Sequence, residues 1–529
     1  MWAVPPGYRA IPPKLNLATE VLDDSIARFG SGSHVAIWAE GRTLCFEDLR
    51  RQVDAVASAL VYDGLNHGEG VLLRGANSPE LAVAFLAVIK AGGVPVMAHS
   101  LLAPAEIEYV LENSGATRAI VDADGAEAVR AAWSARRLAT PLCCYGGIEK
   151  GETAFEAWAH APSGHVTAPA TSADDPCFMV YTSGTTGRPK GILHAHRWVV
   201  AVGDLARLRA TELRPGEVSF AAGEITSISA LGHALLFPLR TGGTAAMLKG
   251  RANPERVAAA IEDAKINLLF ATPTLYRMLL ALPQSGTRDF SSLRMANSGG
   301  EAAGAEMKAA WEQRYSAPFY EYFGVSEFQL LLAHGEGIKT KVGSVGIAFP
   351  DTGVTVLNES LRECAPDEPG YLAIPADDPG LFLTYYRRPE LWRQSFRGRW
   401  YLTGDRFRRD AEGYFWFTGR ADDVFKSRGY SISPVEIENA LRSHGSVREV
   451  VVVAIPDARI GNAICAVVVS SGSGAAGQEL EQELIAHVKE RLAPYKAPQA
   501  IRFVEEIPRT GPLAKISRKA VVKLIGADG

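Results

Sequence analysis

The sequence has 529 residues, of which 47% are hydrophobic and 22% are charged, and its formal net charge at pH 7 is −4. This is the composition of an ordinary globular protein, and the length predicts about three or four compact units. Acidic and basic residues are interspersed, so the clustered positive charge of a nucleic-acid-binding protein is excluded.

Six cysteines are scattered along the chain without a CxxC pair, at positions 45, 143, 144, 177, 364 and 465. This spacing predicts reduced, buried thiols. The N-terminal stretch MWAVPPGYRAIPPKLN lacks the pattern of a signal peptide, and the most apolar window, residues 81–98, is interrupted by Lys90 and two glycines. We therefore expect a cytoplasmic protein that does not span a membrane.

Residues 36–150 alternate short apolar runs with helical patterns. The stretch GVLLRGANSPELAVAFLAVIKAGGVPVMA (70–98) predicts a strand, a turn, a helix and a second strand. The same order returns near residues 240–300, where TAAML and NLLFATP predict strands and PERVAAAIEDAK the helix between them. This alternation predicts an α/β fold with layered helices and mostly parallel sheets.

The composition changes after about residue 400, and a small α+β pattern follows. REVVVVAIP, AICAVVVSS and AIRFVEEIP predict strands. ELEQELIAHVKERL predicts a helix with one apolar face, formed by Leu480, Leu484, Val488 and Leu492. We place a domain boundary at Asp422, giving a large N-terminal domain of several subdomains (1–421) and a small mobile C-terminal domain (422–529). The alternative is one continuous fold with a long C-terminal extension.

A loop with the sequence YTSGTTGRPKG (181–191) follows the apolar run DPCFMVY. Its glycines let backbone N–H groups turn inward around an anion, and Ser183, Thr185 and Thr186 add hydroxyl donors. Glycine-rich loops of this kind commonly join a strand to a helix. Lys190 would add a positive charge on this mobile loop, but it follows proline rather than glycine, so the loop is not a Walker A motif.

The loop resembles the signature of the acyl-adenylate-forming enzymes, which include acyl- and aryl-CoA ligases, peptide-synthetase adenylation domains and luciferases. Five further stretches resemble motifs of that family in the family's order: SGGE (298–301), EYFGVSE (321–327), YLTGD (401–405), GRADDVFKSRG (419–429) and PRTGPLAKISR (508–518). The resemblance implies an α/β adenylation domain, a mobile C-terminal domain, and the use of ATP, Mg²⁺ and coenzyme A.

The resemblance implies a set of residues that contact ATP or CoA. They are Thr182, Ser183, Gly184, Thr185, Thr186, Lys190, Ser298, Gly299, Gly300, Glu301, Tyr322, Phe323, Gly324, Asp405, Arg420, Lys426, Arg428 and Gly429. The residue types agree with these roles, because an aromatic face can stack on a base and a carboxylate can accept hydrogen bonds from a ribose diol. Each motif alone would also fit a surface turn or a solvated loop.

Three residues carry the catalytic expectation: Glu327, Ser326 and Lys515. Glu327 is the predicted Mg²⁺ ligand, since Mg²⁺ combines few protein carboxylates with phosphate oxygens. The resemblance implies that Lys515 contacts the carboxylate and the α-phosphate, and that torsion at Asp422 rotates the small domain. The family's usual glycine before this lysine is Ala514 here, which removes access to positive φ.

The acyl pocket of this family corresponds to GEITSISALGHALLFPLRTGG (223–243), which resembles the benzoate-type aryl-CoA ligases. Small residues such as Ser227, Ser229, Ala230 and Gly232 would leave room for a flat ring, bounded also by Gly299 and Gly324. His233 could contact the ring or the carboxylate, or it could be a core histidine. Glu224 stands where those ligases often have lysine, which would suit an amino-substituted ring such as aminobenzoate.

The predicted function is ATP-dependent activation of an aromatic acid to an acyl-adenylate, followed by transfer to CoA. A carrier-protein thiol acting in trans is the alternative acceptor, and a non-catalytic nucleotide-binding homologue is the alternative class. His194 and His196 share a strand face, but without a third ligand they are more often structural than metal-binding. We expect a monomer or a homodimer.

Overall fold

The computed structural model describes residues 10–162, 164–182, 189–205, 213–250, 252–283, 288–300, 303–335, 337–349, 352–427, 430–457, 461–472, 477–492, 494–510 and 515–526. The chain divides into two compact units. The large unit combines Met1–Val354 with Ile374–Tyr401, and the small unit combines Thr355–Ala373 with Leu402–Gly529. The predicted boundary at Asp422 falls inside the small unit and stays a prediction.

Two sheets form the framework of the large unit. The first has nine strands in the spatial order Ile347–Ala348, Leu332–Ala333, Phe319–Phe323, Met295–Gly299, Leu268–Ala271, Val218–Ala221, Thr244–Met247, Val35–Ala39 and Arg42–Cys45. The second has eight, in the order Thr384–Tyr385, Lys190–Ala195, Pro176–Thr182, Val94–Ala98, Gly70–Arg74, Arg118–Asp122, Cys143–Tyr145 and Thr153–Ala154. The central strands of both sheets are parallel, as the alternating pattern predicted.

Helices cover and connect these sheets. Those of the large unit are Leu17–Val21, Asp23–Phe29, Phe46–Tyr62, Pro79–Lys90, Pro104–Ser114, Ala126–Ala135, Phe155–Ala159, Trp198–Leu205, Ile228–Ala230, Phe237–Arg240, Pro254–Asp263, Pro273–Leu280, Ala305–Tyr315 and Pro389–Ser395, with a 3₁₀ turn at Ala123–Gly125 and a π-helix at Leu231–Leu236. Side chains cap several of them. Ser78 Oγ accepts from the Leu81 N–H at 3.1 Å, and Asn253 Oδ1 accepts from the Arg256 N–H at 2.8 Å.

The two large sheets share a layer of helices, which explains why they form one compact unit. The chain length had predicted three or four units, and the structure has two. Helix Phe46–Tyr62 contacts strand Val35–Ala39 of the nine-stranded sheet, and helix Pro79–Lys90 contacts two strands of the eight-stranded sheet. The two helices also pack against each other. Helix Pro79–Lys90 is buried on every side, and Lys90 inside it is balanced by Asp23 at 2.8 Å and Asp54 at 2.7 Å.

A five-stranded sheet lies mostly in the small unit. Its strands are Thr355–Leu357, Gly370–Pro375, Trp400–Arg409, Phe415–Arg420 and the short Phe396–Arg397, of which residues 374–375, 396–397 and 400–401 belong to the large unit. The second sheet of the small unit has strands Val447–Asp457, Gly461–Ser470 and Ala500–Phe503. Two short hairpins join Phe425–Ser427 to Tyr430–Ile432 and Arg509–Thr510 to Lys515–Ile516. Its helices are Pro434–Arg442, Gln478–Arg491 and Arg518–Leu524, with 3₁₀ turns at Ala421–Asp423 and Pro494–Lys496.

The predicted α+β pattern of this small unit is confirmed. On helix Gln478–Arg491, Leu484 and Val488 are fully buried, and Leu480 and Leu492 pack against the same core. All six cysteines are free and five of them are buried, as expected of reduced thiols. Within the described residues, no helix combines the length and the apolar character that a membrane crossing requires.

Candidate active site

The hydroxyl-rich loop connects two antiparallel strands. Thr182 ends strand Pro176–Thr182 and is paired with Lys190, the first residue of strand Lys190–Ala195. Lys190, expected on the mobile loop, instead begins a strand whose pairing fixes its backbone. Ser183, Gly184, Thr185 and Thr186 lie outside the described residues.

Glu327 lies at the centre of a buried polar cluster in the large unit. Its Oε1 accepts hydrogen bonds from Lys190 Nζ and from the Tyr385 hydroxyl, both at 2.7 Å. The Tyr385 hydroxyl also lies 2.9 Å from that of Tyr401, and the Lys190 ammonium stands 4.4 Å from the centre of the Tyr385 ring. Burial acts to raise the pKa of Glu327, but the charge and hydrogen bond of Lys190 outweigh it, so the pKa is lowered and the carboxylate is ionised.

This carboxylate suits a Mg²⁺ ion that takes most of its ligands from phosphates. Among the residues that the structure describes, no group of three or more His, Cys, Asp or Glu side chains could enclose a metal. A single ionised carboxylate is what Mg²⁺ uses when the nucleotide supplies the remaining oxygens. The single ionised carboxylate of Glu327 therefore fits the predicted Mg²⁺ ion.

The segment that carries Ser326 and Glu327 is anchored from behind by His194. Its Nε2–H donates to the Ser326 carbonyl at 3.0 Å, and its ring stacks on Phe178 with centroids 4.8 Å apart. His196 Nδ1 accepts from the Leu17 N–H at 3.0 Å. Burial lowers the pKa of His194 to about 3 and that of His196 to about 4. Both imidazoles are therefore neutral, and each is hydrogen-bonded to a backbone group.

Three strand ends meet at one edge of the nine-stranded sheet. Strands Leu268–Ala271, Met295–Gly299 and Phe319–Phe323 are parallel neighbours, with Ala271 beside Ser298 and Gly299 beside Tyr322. The carboxyl edge of an open parallel sheet is the usual ligand site of such folds. The predicted residues Ser298, Gly299, Gly300, Tyr322, Phe323 and Gly324 all lie at this edge.

Two of the three glycines at this edge are required by the backbone, Gly300 by its positive φ and Gly324 by a close approach. A Cβ on Gly299 would make only ordinary contacts, at 3.4 Å from Phe270 Cζ and the Tyr322 carbonyl, whereas Gly300 has open space but a φ of 87°. A Cβ on Gly324 would lie 1.4 Å from the Gln329 carbonyl oxygen. Only glycine is compatible with this last approach. Glu301, the remaining residue of this turn, lies outside the described residues.

Three aromatic rings form a wall beside these strand ends. The His233 ring stacks on Phe270 with centroids 4.3 Å apart and lies 5.9 Å from Tyr322, also near parallel. His233 belongs to the π-helix Leu231–Leu236 and is 2% exposed. Burial lowers its pKa to about 3, so the imidazole is neutral. Ser229 and Ala230 lie in the short helix that precedes the π-helix.

Glu224 is held in place by Ser100 and His99. Its Oε2 accepts from the Ser100 N–H at 3.1 Å, its Oε1 accepts from the Ser100 hydroxyl, and His99 Nδ1 lies 3.4 Å away. Both carboxylate oxygens are therefore engaged by protein groups. The sequence could not show this, because Ser100 is 124 residues away along the chain.

In the small unit, Asp405 and Arg420 are cross-strand partners, with Arg420 Nη1 3.2 Å from Asp405 Oδ1. Asp405 is buried, and its backbone N–H donates to Thr403 Oγ1 at 3.1 Å. An aspartate held in this way by an arginine is preorganised to accept hydrogen bonds from a diol.

The remaining predicted residues belong to three short segments of the small unit. Asp422 lies in the 3₁₀ turn Ala421–Asp423, and Lys426 lies in strand Phe425–Ser427; Arg428 and Gly429 lie outside the described residues. Lys515 pairs with Thr510 in a hairpin, and the helix that follows begins at Arg518, capped by Ser517. Only the backbones of Asp422, Lys426 and Lys515 are described.

Sequence reasoning missed Tyr385, Phe270 and Gln329. No motif marks Tyr385 or Phe270, whose contacts arise from sheet pairing between distant strands. Gln329 did carry a signal in the sequence. It follows Glu327 by two residues, and a polar side chain within the apolar run FQLLLA indicates a buried group that needs a hydrogen-bond partner.

Comparison with known proteins accounts for this arrangement. The family model for AMP-binding enzymes matches residues 22–386, and the model for the AMP-binding enzyme C-terminal domain matches residues 436–512. A 3-hydroxybenzoate–CoA ligase of Aromatoleum sp. (strain CIB) is 30% identical over 514 residues, covering 96% of this chain and 97% of that enzyme. A benzoate–CoA ligase of Thauera aromatica is 30% identical over 517 residues, covering 97% of each chain. The crystal structure of the anthranilate CoA ligase AuaEII with anthranoyl-AMP superposes with a TM-score of 0.87 at 26% identity, covering 97% of this chain and 98% of that chain.

Proposed function

Because the chain belongs to the AMP-binding enzyme family, we propose that it is an AMP-forming acid–thiol ligase for an aromatic carboxylic acid of the benzoate or aminobenzoate type. It joins the acid to coenzyme A and releases AMP and pyrophosphate. Support comes from relatives, aligned over nearly the whole chain, that are named for benzoate, 3-hydroxybenzoate and anthranilate. A carrier-protein thiol is the less favoured acceptor, because these relatives are CoA ligases.

The proposal of an aromatic substrate rests on one observation: the His233 ring stacks on Phe270 and Tyr322, beside Gly299. A wall of near-parallel flat rings gives a planar ligand a matching apolar face. The wall stands beside Ser298 and Gly299, at the edge where the nucleotide is expected. An acyl group there would lie next to the α-phosphate.

In the first half-reaction, a carboxylate oxygen of the acid attacks the α-phosphorus of ATP. An acyl–O–P bond forms, the bond to the β-phosphate oxygen breaks, and pyrophosphate leaves. Both reactants are anions, so positive charge must be placed before they meet. Lys190 supplies such a charge at the phosphates, and we assign Lys515 to the reacting carboxylate and α-phosphate.

Glu327 would hold the Mg²⁺ ion, which when bound neutralises the negative charge of the phosphates. The protein's part is to keep this carboxylate ionised and oriented. Tyr385 and Lys190 do so through their hydrogen bonds, and His194 fixes the preceding carbonyl. Asp405 accepts hydrogen bonds from the ribose, with Arg420 at its side.

In the second half-reaction, the CoA thiolate attacks the acyl carbon. The carbon–sulfur bond forms as the carbon–oxygen bond to AMP breaks. We assign CoA binding to the segment around Lys426, Arg428 and Gly429. Rotation about Asp422 would replace the face that carries Lys515 with the face that carries this segment. Monomeric or homodimeric assembly and a cytoplasmic location belong to this proposal too.

The test is exchange of labelled pyrophosphate into ATP in the presence of single acids: benzoate, aminobenzoates, hydroxybenzoates and short fatty acids. Exchange with at least one aromatic acid and AMP release that requires free CoA are expected. Exchange with none of the aromatic acids would refute the proposal. Turnover that needs a phosphopantetheinylated carrier protein in place of CoA would refute the choice of acceptor.

A further inference from the structure

Two buried polar atoms beside the aromatic wall have no hydrogen-bond partner among the described residues: Nε2 of His233 and Oε1 of Gln329. The two side chains are 2% and 5% exposed. Buried polar groups in proteins are nearly always paired, because an unpaired one forfeits its hydrogen bonds to water without replacement. A pair of such atoms at a predicted substrate pocket indicates that a ligand supplies the partners.

The Gln329 amide and His233 are neighbours. A Cβ on Gly232, the residue before His233, would lie 2.4 Å from Gln329 Nε2 and 2.6 Å from Gln329 Oε1. The amide of Gln329 therefore packs directly against Gly232. His233 and Gln329 thus belong to the same small region, next to Ser229 of the predicted pocket.

The orientation of the Gln329 amide is fixed by chemistry. Its Nε2 lies 3.3 Å from the Ser229 carbonyl oxygen, which can only accept, so the NH₂ group must be the one that faces Ser229. The unpaired atom is therefore the carbonyl oxygen Oε1. An unpaired acceptor calls for a ligand that donates.

Two rare backbone conformations meet at the same place. Gln329 has a φ of 99°, in the left-handed region that a non-glycine residue seldom adopts. Gly232 and His233 lie in the π-helix Leu231–Leu236. Both features are over-represented at functional sites, where the surrounding structure holds the costly conformation in place. Neither depends on the unpaired atoms, so they indicate a functional site independently.

We propose that Gln329 is a specificity-determining residue, and that its Oε1 accepts a hydrogen bond from a hydroxyl or amino substituent on the ring of the aromatic acid. The proposal rests on the proposed function and narrows it. Hydroxybenzoates and aminobenzoates are substrates of choice, and unsubstituted benzoate is not. We thus assign recognition of the ring substituent to Gln329 in place of Glu224, whose oxygens already accept hydrogen bonds from Ser100.

The first test uses the wild-type enzyme and compares kcat/KM across isosteric acids in acid-dependent pyrophosphate exchange. Hydroxybenzoates and aminobenzoates at each ring position are compared with benzoate and with the methylbenzoates, which match in size but cannot donate. At one ring position or more, the donor acid should exceed its methyl isostere by about 10- to 100-fold, the range expected when a buried acceptor is left unpaired. Equal values at every ring position would overturn the inference while leaving the proposed function intact.

The second test is Gln329→Met. Methionine has a side chain of the same length and, like glutamine, is a non-glycine residue at a φ of 99°, but it lacks the amide oxygen that accepts the hydrogen bond. The variant should lose most of the preference for donor acids and keep its rate with benzoate. Gln313→Met, the same change on the exposed surface of helix Ala305–Tyr315, is the control and should change neither. Loss of the same factor with every acid would contradict the inference. If Gln329→Met fails to fold, the wild-type comparison still decides.

Discussion

Lys190 and Glu327 are separated by 137 residues, yet the Lys190 ammonium donates a 2.7 Å hydrogen bond to the Glu327 carboxylate. The pair joins the eight-stranded sheet, which provides Lys190, to the nine-stranded sheet, whose strand Phe319–Phe323 leads into Glu327. A buried carboxylate is costly unless it is paired. Lys190 thus stabilises an ionised carboxylate in the protein interior.

Glu327→Gln should separate the charge of this residue from its shape. The amide oxygen can still accept from Lys190 and Tyr385, so the fold should persist, while the anionic ligand is lost. We expect adenylation to fall about 10²- to 10³-fold, the range for a single preorganised catalytic group. Pyrophosphate exchange at varied Mg²⁺ measures this. The control is Glu306→Gln, on the exposed first turn of helix Ala305–Tyr315, which should leave the exchange rate unchanged. An unchanged rate in E327Q would show that Glu327 takes no part in adenylation.

Lys515→Ala should abolish adenylation but largely spare thioester formation from supplied acyl-AMP. The reason is that the two half-reactions use different faces of the small unit in the proposed scheme. Each half-reaction is measured separately, by pyrophosphate exchange and by AMP release from synthetic acyl-AMP with CoA. Lys519→Ala, four residues on and exposed, is the matched control. Equal losses in both half-reactions would contradict domain rotation.

Asp422→Pro should have the reverse effect. Proline fixes φ near −65° and removes torsional freedom from the 3₁₀ turn Ala421–Asp423. Adenylation should continue while thioester formation from supplied acyl-AMP becomes slow. Asp422→Ala, which leaves the backbone free, should keep both activities. Normal thioester formation in D422P would place the hinge elsewhere.

Arg518 is expected to act as a positioning residue for the segment that carries Lys515. Its guanidinium binds Glu438 Oε1 at 2.5 Å, the Val452 carbonyl at 2.8 Å and Asp423 Oδ2 at 3.3 Å. It therefore connects the start of the last helix to the sheet of the small unit and to the residue after Asp422. A lysine cannot reproduce this fork of donors.

Arg518→Lys should consequently lower adenylation by about 10-fold and lower the melting temperature, since Glu438 is buried and loses part of its pairing. Thioester formation from supplied acyl-AMP should change less. Arg502→Lys, on the exposed face of strand Ala500–Phe503, is the control. A loss of stability without any difference between the half-reactions would mean that Arg518 is only structural.

Four buried histidines should make the protein less stable in mild acid. Burial lowers the pKa of His194 and His233 to about 3 and that of His196 and His334 to about 4, from 6.5. Between about pH 4 and 6.5 the unfolded chain therefore binds protons that the folded chain does not. By linkage, the free energy of unfolding must fall as the pH decreases through this window.

His196→Asn should reduce that dependence, because an asparagine oxygen can still accept from the Leu17 N–H but takes up no proton. The slope of the unfolding free energy against pH should decrease by up to about 1.4 kcal/mol per pH unit. Urea unfolding at several pH values measures it. His34→Asn, on the surface, is the control. An unchanged slope in H196N would show that His196 is protonated in the folded protein.

What the sequence revealed was local. Hydrophobic periodicity predicted strand Gly70–Arg74, helix Pro79–Lys90 and strand Val94–Ala98, because period and capping residues are properties of neighbouring positions. The motifs predicted roles for Glu327 and Asp405 because each lies in a short string. Tyr385, Phe270 and the partners of Glu224 depend on which strands become neighbours, and no local pattern encodes that. The π-helix and the φ of Gln329 follow from tertiary packing that overrides local preference.

Strand Lys190–Ala195 presents Lys190 and His194 on the same face, since alternate residues of a strand point the same way. Lys190 holds the Glu327 carboxylate, and His194 holds the Ser326 carbonyl, so one strand grips two consecutive residues. A shift of this strand by one residue would turn both side chains to the opposite face. The pairing of Thr182 with Lys190 prevents such a shift by closing the ends of the intervening loop. Insertions or deletions within that loop should therefore leave the position of Glu327 unchanged, whereas register errors in the strands should not.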